Sequence, residues 1–228
     1  MDGEMRYMYD SLSLCNFIKY SIRFRDFFTS LFLFLKIDNL FRKYTMDRYS
    51  FRNYINDIFI ETGSGNGDGI QAALNAGFQK IISFEIEPSF VEKVKLRFKE
   101  HTNITIYEKP SQQMWENIKD ITKRITFWLD AHFDGNTAAF YEDFCPLLKE
   151  LDIIKQHSIK THTILIDDVR LLGTEVFGYV TKDEVIRKIK EINSEYKIIF
   201  IDGHVENDIL VAAIEKRCQM KNNSNIYV

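Results

Sequence analysis

The stretch Phe59-Ile60-Glu61-Thr62-Gly63-Ser64-Gly65-Asn66-Gly67-Asp68-Gly69 decides the fold. A short apolar run ends in Glu61, and glycines then occupy every second position from Gly63 to Gly69. Glycine is needed where the backbone must turn tightly and approach a ligand closely. The pattern therefore predicts a β-strand that ends in a ligand-binding turn and leads into a helix.

From about Ile55 onward, short β-branched or aromatic runs alternate with amphipathic stretches, as in repeated βαβ units. The predicted strands are Asp57–Glu61, Lys80–Glu85, Ile104–Tyr107, Ile125–Asp130, Thr163–Asp167, Tyr196–Asp202 and Asp208–Ala213. The predicted helices are Gly69–Ala76, Ser89–Lys99, Gln112–Asp120, Pro146–His157 and Lys182–Ser194. No internal repeat is visible.

The last connection, Gly203–Asn207, is too short for a crossover helix, so it predicts a hairpin and an antiparallel final strand. The fold class is α/β: a Rossmann-like doubly wound sheet, mostly parallel, with a C-terminal antiparallel hairpin strand. This is the topology expected of class I methyltransferases. We divide the chain into an N-terminal helical appendage, residues 1–54, and a cofactor-binding domain, residues 55–228.

The composition of the chain limits the number of domains, the class of partner and the cellular location that can be expected. The chain has 228 residues, of which 45% are hydrophobic and 28% charged, so one folded main domain is expected. A formal charge of −3 gives no general reason to bind nucleic acid. Three widely spaced cysteines fit neither a disulfide framework nor a zinc site, which predicts a cytoplasmic protein. Phe27–Leu35 is too short to span a membrane, and it could form a substrate entrance or a homodimer contact.

The glycine spacing distinguishes two cofactors. A dinucleotide fingerprint that starts at Gly63 needs a glycine at position 68, but Asp68 stands there, next to where a pyrophosphate would bind. S-adenosylmethionine carries no phosphate and has cationic ammonium and sulfonium groups, so Glu61 is compatible with it. We therefore expect Glu61, Gly63, Gly65 and Gly67 to hold S-adenosylmethionine, the alternative being an ordinary capped turn.

Two further segments match the rest of that cofactor. Glu85 ends the second strand about twenty residues after the glycine turn, where a carboxylate that accepts bonds from ribose hydroxyls is expected. The alternative, that the carboxylate faces solvent or caps the next helix, is stronger for Glu87 than for Glu85. Ser111 and Gln112 follow the third strand, where adenine would lie, although the same residues also suit a generic helix start.

Acidic residues end the fourth and fifth predicted strands: Asp130, and the pair Asp167-Asp168. Adjacent parallel strands bring such termini together, and unpaired carboxylates repel each other. A hard divalent cation removes that repulsion, so we expect Asp130, Asp167 and Asp168 to bind Mg²⁺, with a substrate hydroxyl in its shell. The alternative is that these carboxylates cap loops or pair with Arg170.

His132, two residues after Asp130, is the candidate general base for that hydroxyl. The alternative is a hydrogen-bonded loop histidine. His204 is a weaker candidate, because we expect its hairpin to lie at the edge of the sheet. The remaining histidines are interpreted as surface or hydrogen-bonded structural residues: His101, His157 and His162.

Several runs resemble catechol O-methyltransferase in order and spacing. They are Ile104-Thr105-Ile106 through Ser111-Gln112, Phe84-Glu85-Ile86-Glu87-Pro88 and Leu129-Asp130. The resemblance implies that Gln112 binds adenine, Glu85 binds ribose and Asp130 binds Mg²⁺. The chain differs from that family, which has a lysine three residues after its first metal aspartate, in having His132, two residues after Asp130, instead.

The pairing of Asp130 with Asp167-Asp168 resembles macrocin-type sugar O-methyltransferases, in which a nearby histidine or aspartate can be the base. A longer resemblance, to FkbM-like methyltransferases, covers roughly Asp57–Ala213. It is carried by Phe127-Trp128-Leu129-Asp130-Ala131-His132-Phe133, Cys145-Pro146-Leu147-Leu148 and Thr163-Ile164-Leu165-Ile166-Asp167-Asp168-Val169-Arg170. These relatives imply modification of a glycan or sugar hydroxyl.

The sequence thus predicts an S-adenosylmethionine-dependent, Mg²⁺-assisted O-methyltransferase with Asp130 and His132 at its reactive centre. The expected partner is a sugar, glycan or other small hydroxylated acceptor rather than nucleic acid. Two alternatives stay open: a metal-independent methyltransferase of RNA or protein, and a non-catalytic S-adenosylmethionine-binding partner subunit. Intact carboxylates at both strand ends weigh against the last.

Overall fold

The structure is a computed structural model, which describes residues 51–132 and 145–214 and the backbone of residues 226–227. Most of the predicted appendage, residues 1–50 with the Phe27–Leu35 stretch, lies outside the described residues. The boundary between the N-terminal appendage and the cofactor-binding domain, placed between residues 54 and 55, stays a prediction. None of the helices in the described part of the chain has both the length and the apolar character needed to cross a bilayer.

The predicted alternation of strands and helices is confirmed in order and type. The strands are β1 Ile58–Thr62, β2 Ile81–Glu85, β3 Ile104–Glu108, β4 Ile125–Leu129, β5 Thr163–Ile166, β6 Lys197–Ile201, β7 Ile209–Ala213 and β8 Ile226–Tyr227. The α-helices are α1 Asp68–Ala76, α2 Pro88–Arg97, α3 Trp115–Ile118, α4 Leu147–Gln156 and α5 Lys182–Ile192. Among the described residues, 3-10 helices also form at Phe51–Tyr54, Ser111–Gln113, Val169–Leu171 and Glu175–Phe177.

These strands form one sheet in the order β3-β2-β1-β4-β5-β7-β6-β8. The pairs from β3 to β5 are parallel, whereas β7 runs antiparallel between β5 and β6, as the short connection predicted. Strand β8, which the sequence did not predict, pairs antiparallel with β6. The expected α/β fold with a C-terminal hairpin is therefore confirmed. The hairpin of β6 and β7 lies towards one edge of the sheet, as expected, with the two-residue β8 beyond it, but its inner strand β7 lies directly next to β5.

Both faces of the sheet are covered, which explains why the central strands are continuously apolar. One face packs against α3, α4 and α5 through residues such as Ile118, Leu151 and Val185. The other packs against α1, α2 and the first 3-10 helix through residues such as Ile70 and Val94. Helices on both faces make this a doubly wound sheet.

Local signals set the helix boundaries. Pro88 starts α2 after Glu87, whose side chain accepts a hydrogen bond from the amide of Ser89. Thr181 and Glu184 form a capping box at the start of α5. The predicted helix Gln112–Asp120 is instead a 3-10 turn, Ser111–Gln113, followed by the single turn of α3.

Two fully buried histidines form a hydrogen-bonded chain beneath the sheet. The amide of Ile125 donates to Nδ1 of His162, which places that ring's proton on Nε2, 2.9 Å from Nδ1 of His157. The Nδ1 atom of His157 also accepts from the amide of Ile159, so its Nε2 proton faces the carbonyl of Ile118 at 3.1 Å. All four ring nitrogens are satisfied when both rings are neutral. The interpretation of these histidines as structural is confirmed for the pair.

Protonation of His162 should destabilise the fold. Burial, helped by nearby His157, lowers its pKa from 6.5 to about 3, whereas the unfolded ring titrates near 6.5. The stability it contributes is present above pH 6.5 and is lost as the pH falls towards 3. Urea unfolding at pH 7 and pH 5 should show a loss of about 2 kcal/mol from this group.

The variant His162→Gln isolates that contribution, because buried Glu61 and Glu150 have raised pKa values and act in the opposite direction. The pH dependence of wild type should exceed that of the variant by this amount. Exposed His101 is the matched control, and His101→Gln should keep the wild-type dependence. Equal pH dependence in wild type and His162→Gln would contradict the buried neutral pair.

Candidate functional site

The predicted site residues lie where the carboxyl ends of the parallel strands meet at one edge of the sheet. In such sheets the ligand crevice lies outside these ends, at the point where the strand order reverses. Here that point is β1, which pairs with β2 on one side and β4 on the other. The glycine turn follows β1, Glu85 ends β2, and Asp130 follows β4.

Glycine is required in the turn after β1 for two reasons. Gly63 and Gly67 have φ values of 79° and 84°, which side chains rarely tolerate. A Cβ atom at Gly63 would also lie 2.7 Å from the carbonyl oxygen of Asp130, and one at Gly67 would lie 2.7 Å from the Phe98 ring. The turn is therefore pressed against the loop after β4 on one side and against the end of α2 on the other.

Glu61 lies beneath this turn, almost completely buried. Its Oε2 accepts a 2.6 Å hydrogen bond from Ser83, whose hydroxyl also lies 2.7 Å from that of Ser64. A Cβ atom on Gly69 would lie only 2.0 Å from Glu61 Oε1, so α1 can pass over the carboxyl group only because position 69 is glycine. Burial raises the pKa of Glu61 to about 8, and the hydrogen bond from Ser83 lowers it. The carboxyl group is therefore mostly protonated at neutral pH.

Glu85 is buried at the end of β2, so the alternative that it faces solvent is wrong. Its Oε2 accepts from the amide of Gly65 at 2.9 Å, and its Oε1 accepts from the amides of Ile86 and Glu87 at 2.8 and 2.9 Å. The carboxylate thus fixes the glycine turn against β2. Glu87 caps the N-terminus of α2, which is the alternative that the sequence favoured for this residue.

The loop after β3 lies next to Glu85, because the amide of Lys109 donates to the carbonyl oxygen of Glu85. Ser111 is buried in this loop and Gln112 is half-buried. Within the described part of the chain, the Ser111 hydroxyl makes no hydrogen bond of normal geometry. The structure therefore brings Glu85, Ser111 and Gln112 to one end of the crevice, and their binding of ribose and adenine stays a prediction.

At the other end, the loop after β4 faces the loop after β5. His132 Nε2 lies 3.6 Å from Asp168 Oδ2, and His132 Nδ1 lies 4.0 Å from Asp130 Oδ1. The imidazole is mostly buried and packs against the Phe177 ring, with 5.1 Å between the ring centroids. These three side chains are close enough for their ligand atoms to share one metal ion. The structure thus brings together the predicted base and two of the three predicted metal ligands.

Asp167, the third predicted ligand, belongs to a different group. Its ligand atoms lie near those of Asp168 and Asp208 rather than near Asp130 and His132, and its Oδ1 accepts from the amide of Asp168. Asp168 itself has a φ of 56°, an uncommon conformation for a residue with a side chain. The predicted set of metal ligands is therefore divided between two groups that share Asp168.

Arg170 bridges the second group. Its Nη1 donates to Asp168 Oδ1 at 2.6 Å and forms a short ion pair with Asp208 Oδ2. The Oδ1 atom of Asp208 accepts from the Arg170 amide at 3.2 Å, and its Oδ2 accepts from the His204 amide at 3.1 Å. The alternative that Asp168 pairs with Arg170 is therefore confirmed. The same guanidinium leaves Asp168 Oδ2 directed towards His132.

Sequence reasoning missed Asp208, because it treated the hairpin as remote from the site. Strand β7 instead lies next to β5. Asp208, directly before β7, therefore reaches the loop after β5, where its carbonyl oxygen accepts a hydrogen bond from the Val169 amide. His204 is correspondingly closer to the site than expected. An aspartate directly before a strand that follows a tight hairpin was the available signal.

Comparisons with solved structures agree with this fold. No family model and no curated protein matches the chain. A methyltransferase from Podospora anserina, bound to S-adenosylhomocysteine, is 12% identical over 73% of this chain and 75% of its own, with a TM-score of 0.50. The chain has the class I methyltransferase fold.

Two further structures with this fold are similar. A proposed rRNA methylase from Clostridium thermocellum is 16% identical over 71% of this chain and 91% of its own, with a TM-score of 0.52. A proposed methyltransferase from Streptococcus mutans, in complex with S-adenosylhomocysteine, is 14% identical over 77% and 97%, with a TM-score of 0.50. At such low identity the likeness extends to the fold alone.

Asp208→Asn should loosen the loop after β5. The substitution removes the charge that faces Arg170 in a side chain that is fully buried. Hydrogen bonds to charged groups contribute about 1.5–3 kcal/mol, so the free energy of unfolding should fall by about 2 kcal/mol. The matched control is Asp202→Asn, in the same hairpin but exposed, which should cost less than about 1 kcal/mol. Equal losses for the two variants in urea unfolding would show that the Arg170 bridge does not stabilise the loop.

Proposed function

We propose that the protein is an S-adenosylmethionine-dependent methyltransferase that methylates a hydroxyl of a sugar, glycan or other small molecule. One observation carries the proposal: the glycine turn with Glu85, and the cluster of Asp130, His132 and Asp168, lie at the two ends of the row formed by the carboxyl ends of β2, β1, β4 and β5. The first end has the features that hold an adenosyl group. The second has acidic and basic side chains that could act on an acceptor.

The charges around the glycine turn favour a cationic cofactor over a pyrophosphate. Glu85 accepts the Gly65 amide and Asp68 is the first residue of α1, whereas buried Glu61 beneath the turn is mostly protonated and adds little charge. The Asp68 carboxylate would repel a phosphate at the helix N-terminus, where dinucleotide folds bind one. Arg97 pairs with Asp68 at 2.8 Å, but on an exposed surface where such a pair contributes little.

His132 is the proposed general base. An acceptor oxygen would attack the methyl carbon of the sulfonium, the carbon–sulfur bond would break, and S-adenosylhomocysteine would leave. The hydroxyl proton would pass to the His132 imidazole. Carboxylates on both sides, Asp130 and Asp168, would stabilise the positive charge that the ring gains. Packing against Phe177 would hold the ring in position.

A Mg²⁺ ion is the proposed metal cofactor of this reaction. Asp130 and Asp168 would hold it, because two carboxylates with water are a donor set that suits this ion. Bound there, it would polarise the acceptor hydroxyl. Arg170 donates to Oδ1 of Asp168, whereas Oδ2 of Asp168 lies on the side of His132. The cytoplasmic location and the homodimer contact predicted from the sequence remain part of the proposal.

The Arg170 bridge also favours a second candidate, a metal-independent methyltransferase of RNA or protein. Its guanidinium already compensates the charges of Asp168 and Asp208, so the carboxylates after β5 do not require a cation for charge balance. In that case Asp130 and His132 would act on the acceptor without an ion. The two candidates differ in their need for metal.

Chelation separates them. Methyl transfer from labelled S-adenosylmethionine should be measured against nucleotide sugars, oligosaccharides, catechols and capped RNA, with EDTA and with added Mg²⁺. The proposal predicts transfer to a hydroxylated small molecule or glycan that EDTA abolishes and Mg²⁺ restores. Transfer that is unaffected by EDTA would support the second candidate. Absence of transfer to every acceptor, with tight S-adenosylhomocysteine binding, would support a non-catalytic binding subunit.

Replacing the base should reduce the rate of the chemical step alone. His132→Gln should lower kcat by about 10²–10⁴-fold, the usual contribution of a general base. The affinity for S-adenosylhomocysteine should be unchanged, because His132 lies at the opposite end of the crevice from Glu85 and Ser111. Exposed His101 supplies the control, since His101→Gln should leave both quantities as in wild type. A kcat within threefold of wild type would exclude His132 as the base.

A further inference from the structure

Helix α4 carries a carboxyl group on its core-facing side. Its buried residues are Leu147, Glu150, Leu151, Ile153 and Ile154, so Glu150 occupies a position where an apolar residue is expected. The side chain is 1% exposed. A carboxyl group at such a position is costly unless it has polar partners, and an apolar residue of similar size would pack there at no such cost.

Two hydroxyl groups lie near Glu150: that of Ser111, which follows β3, and that of Thr62, which ends β1. Burial raises the pKa of Glu150 to about 7, while the nearby hydroxyls of Ser111 and Thr62 lower it. Glu150 Oε1 and Ser111 Oγ are both sealed from solvent, yet neither makes a hydrogen bond of normal geometry within the described residues. A small movement of the loop after β3 would complete the bond between them. Both atoms thus have unused hydrogen-bonding capacity at the predicted adenine end of the crevice.

Thr62 connects Glu150 to the other end. The amide of Asp130 lies 3.2 Å from the Thr62 carbonyl oxygen and 3.3 Å from its hydroxyl oxygen. Because the hydroxyl oxygen accepts this amide proton, its own proton is available to the Glu150 carboxyl group. The hydroxyl of Thr62 therefore stands between Glu150 and the amide of Asp130, while the hydroxyl of Ser111 lies near Glu150 on the other side of the site.

We propose that Glu150 is a positioning residue of the cofactor pocket, which orients the Ser111 and Thr62 hydroxyls and so connects the predicted adenine loop to the loop that carries Asp130. Ligand binding at Ser111 would complete the Glu150–Ser111 bond and fix both loops together. This inference rests on the proposed function in that it takes the ligand at Ser111 to be the adenosyl group.

The test compares three variants. Glu150→Met removes both hydrogen-bonding oxygens while keeping an unbranched side chain of similar size, and Glu150→Gln keeps one oxygen. Ile154→Val, on the same buried face of α4, is the matched control for a change in core packing. Each variant is measured in three ways: thermal midpoint, calorimetric affinity for S-adenosylhomocysteine, and hydrogen exchange of the ligand-free protein in peptides that cover residues 109–115 and 128–132.

The proposal predicts that Glu150→Met folds with a thermal midpoint close to wild type, since replacing a buried carboxyl group by an apolar side chain is often neutral. Its affinity for S-adenosylhomocysteine should fall by roughly tenfold, within the range measured for coupled groups. Hydrogen exchange should quicken in both peptides together. Glu150→Gln should recover part of both effects, and Ile154→Val should show neither.

Two results would overturn the inference. One is an affinity for S-adenosylhomocysteine within twofold of wild type together with unchanged exchange in both peptides of Glu150→Met. The other is faster exchange across the whole domain, which would show that Glu150 matters only for packing. If wild type does not bind S-adenosylhomocysteine, the proposed function fails instead, and the exchange data still decide whether Glu150 connects the two loops.

Discussion

The close contact between the glycine turn and the loop after β4 is the constraint on which the site depends. The Gly63 backbone leaves no room for a side chain before the Asp130 carbonyl oxygen. This contact fixes the end of β1 against the end of β4, and hydrogen bonds from the Asp130 amide to Thr62 strengthen it. A larger residue at position 63 would separate the adenosyl end of the crevice from the loop that bears His132.

Three buried carboxyl groups surround this contact, and each is accommodated differently. Glu85 accepts three backbone amides, which suits a charged carboxylate. Burial keeps Glu61 mostly protonated at neutral pH, while Glu150 has a pKa close to neutral. Acidic groups favour the binding of a cationic cofactor. Three charged carboxylates without polar partners would nevertheless be too costly to bury in a folded core. The hydroxyls of Ser83, Thr62 and Ser111 provide polar surroundings in which the carboxyl groups of Glu61 and Glu150 can be buried.

The sequence predicted what depends on short-range pattern. The strands predicted from alternating apolar runs end within one or two residues of the observed ones, and the five-residue connection before Asp208 required a hairpin. The residues at the strand ends were also found, because side chains that follow parallel strands must meet at one edge. Glu85 beside the glycine turn and His132 between two aspartates are the outcomes of that rule.

What the sequence did not predict depends on long-range packing. The position of β7 between β5 and β6 depends on packing between strands that are distant in sequence. This position brings Asp208, directly before β7, next to Asp167 and Asp168. The separation of Asp167 from Asp130 and His132 depends on the conformation of the loop after β5, where Asp168 has a φ of 56°, and a sequence pattern does not reveal this conformation. The polar role of Glu150 was hidden in the same way, because a single acidic residue on an amphipathic helix is usually solvent-exposed.

The central claim is that the crevice holds an adenosyl sulfonium cofactor between the glycine turn and the loop after β3. Titration of S-adenosylhomocysteine into isotope-labelled protein, followed by amide NMR, tests this directly. The account predicts saturable shifts that centre on residues 63–67, 85–87 and 111–112, and no comparable response to NAD⁺. Shifts that avoid these three segments, or a stronger response to NAD⁺ at the same residues, would contradict it.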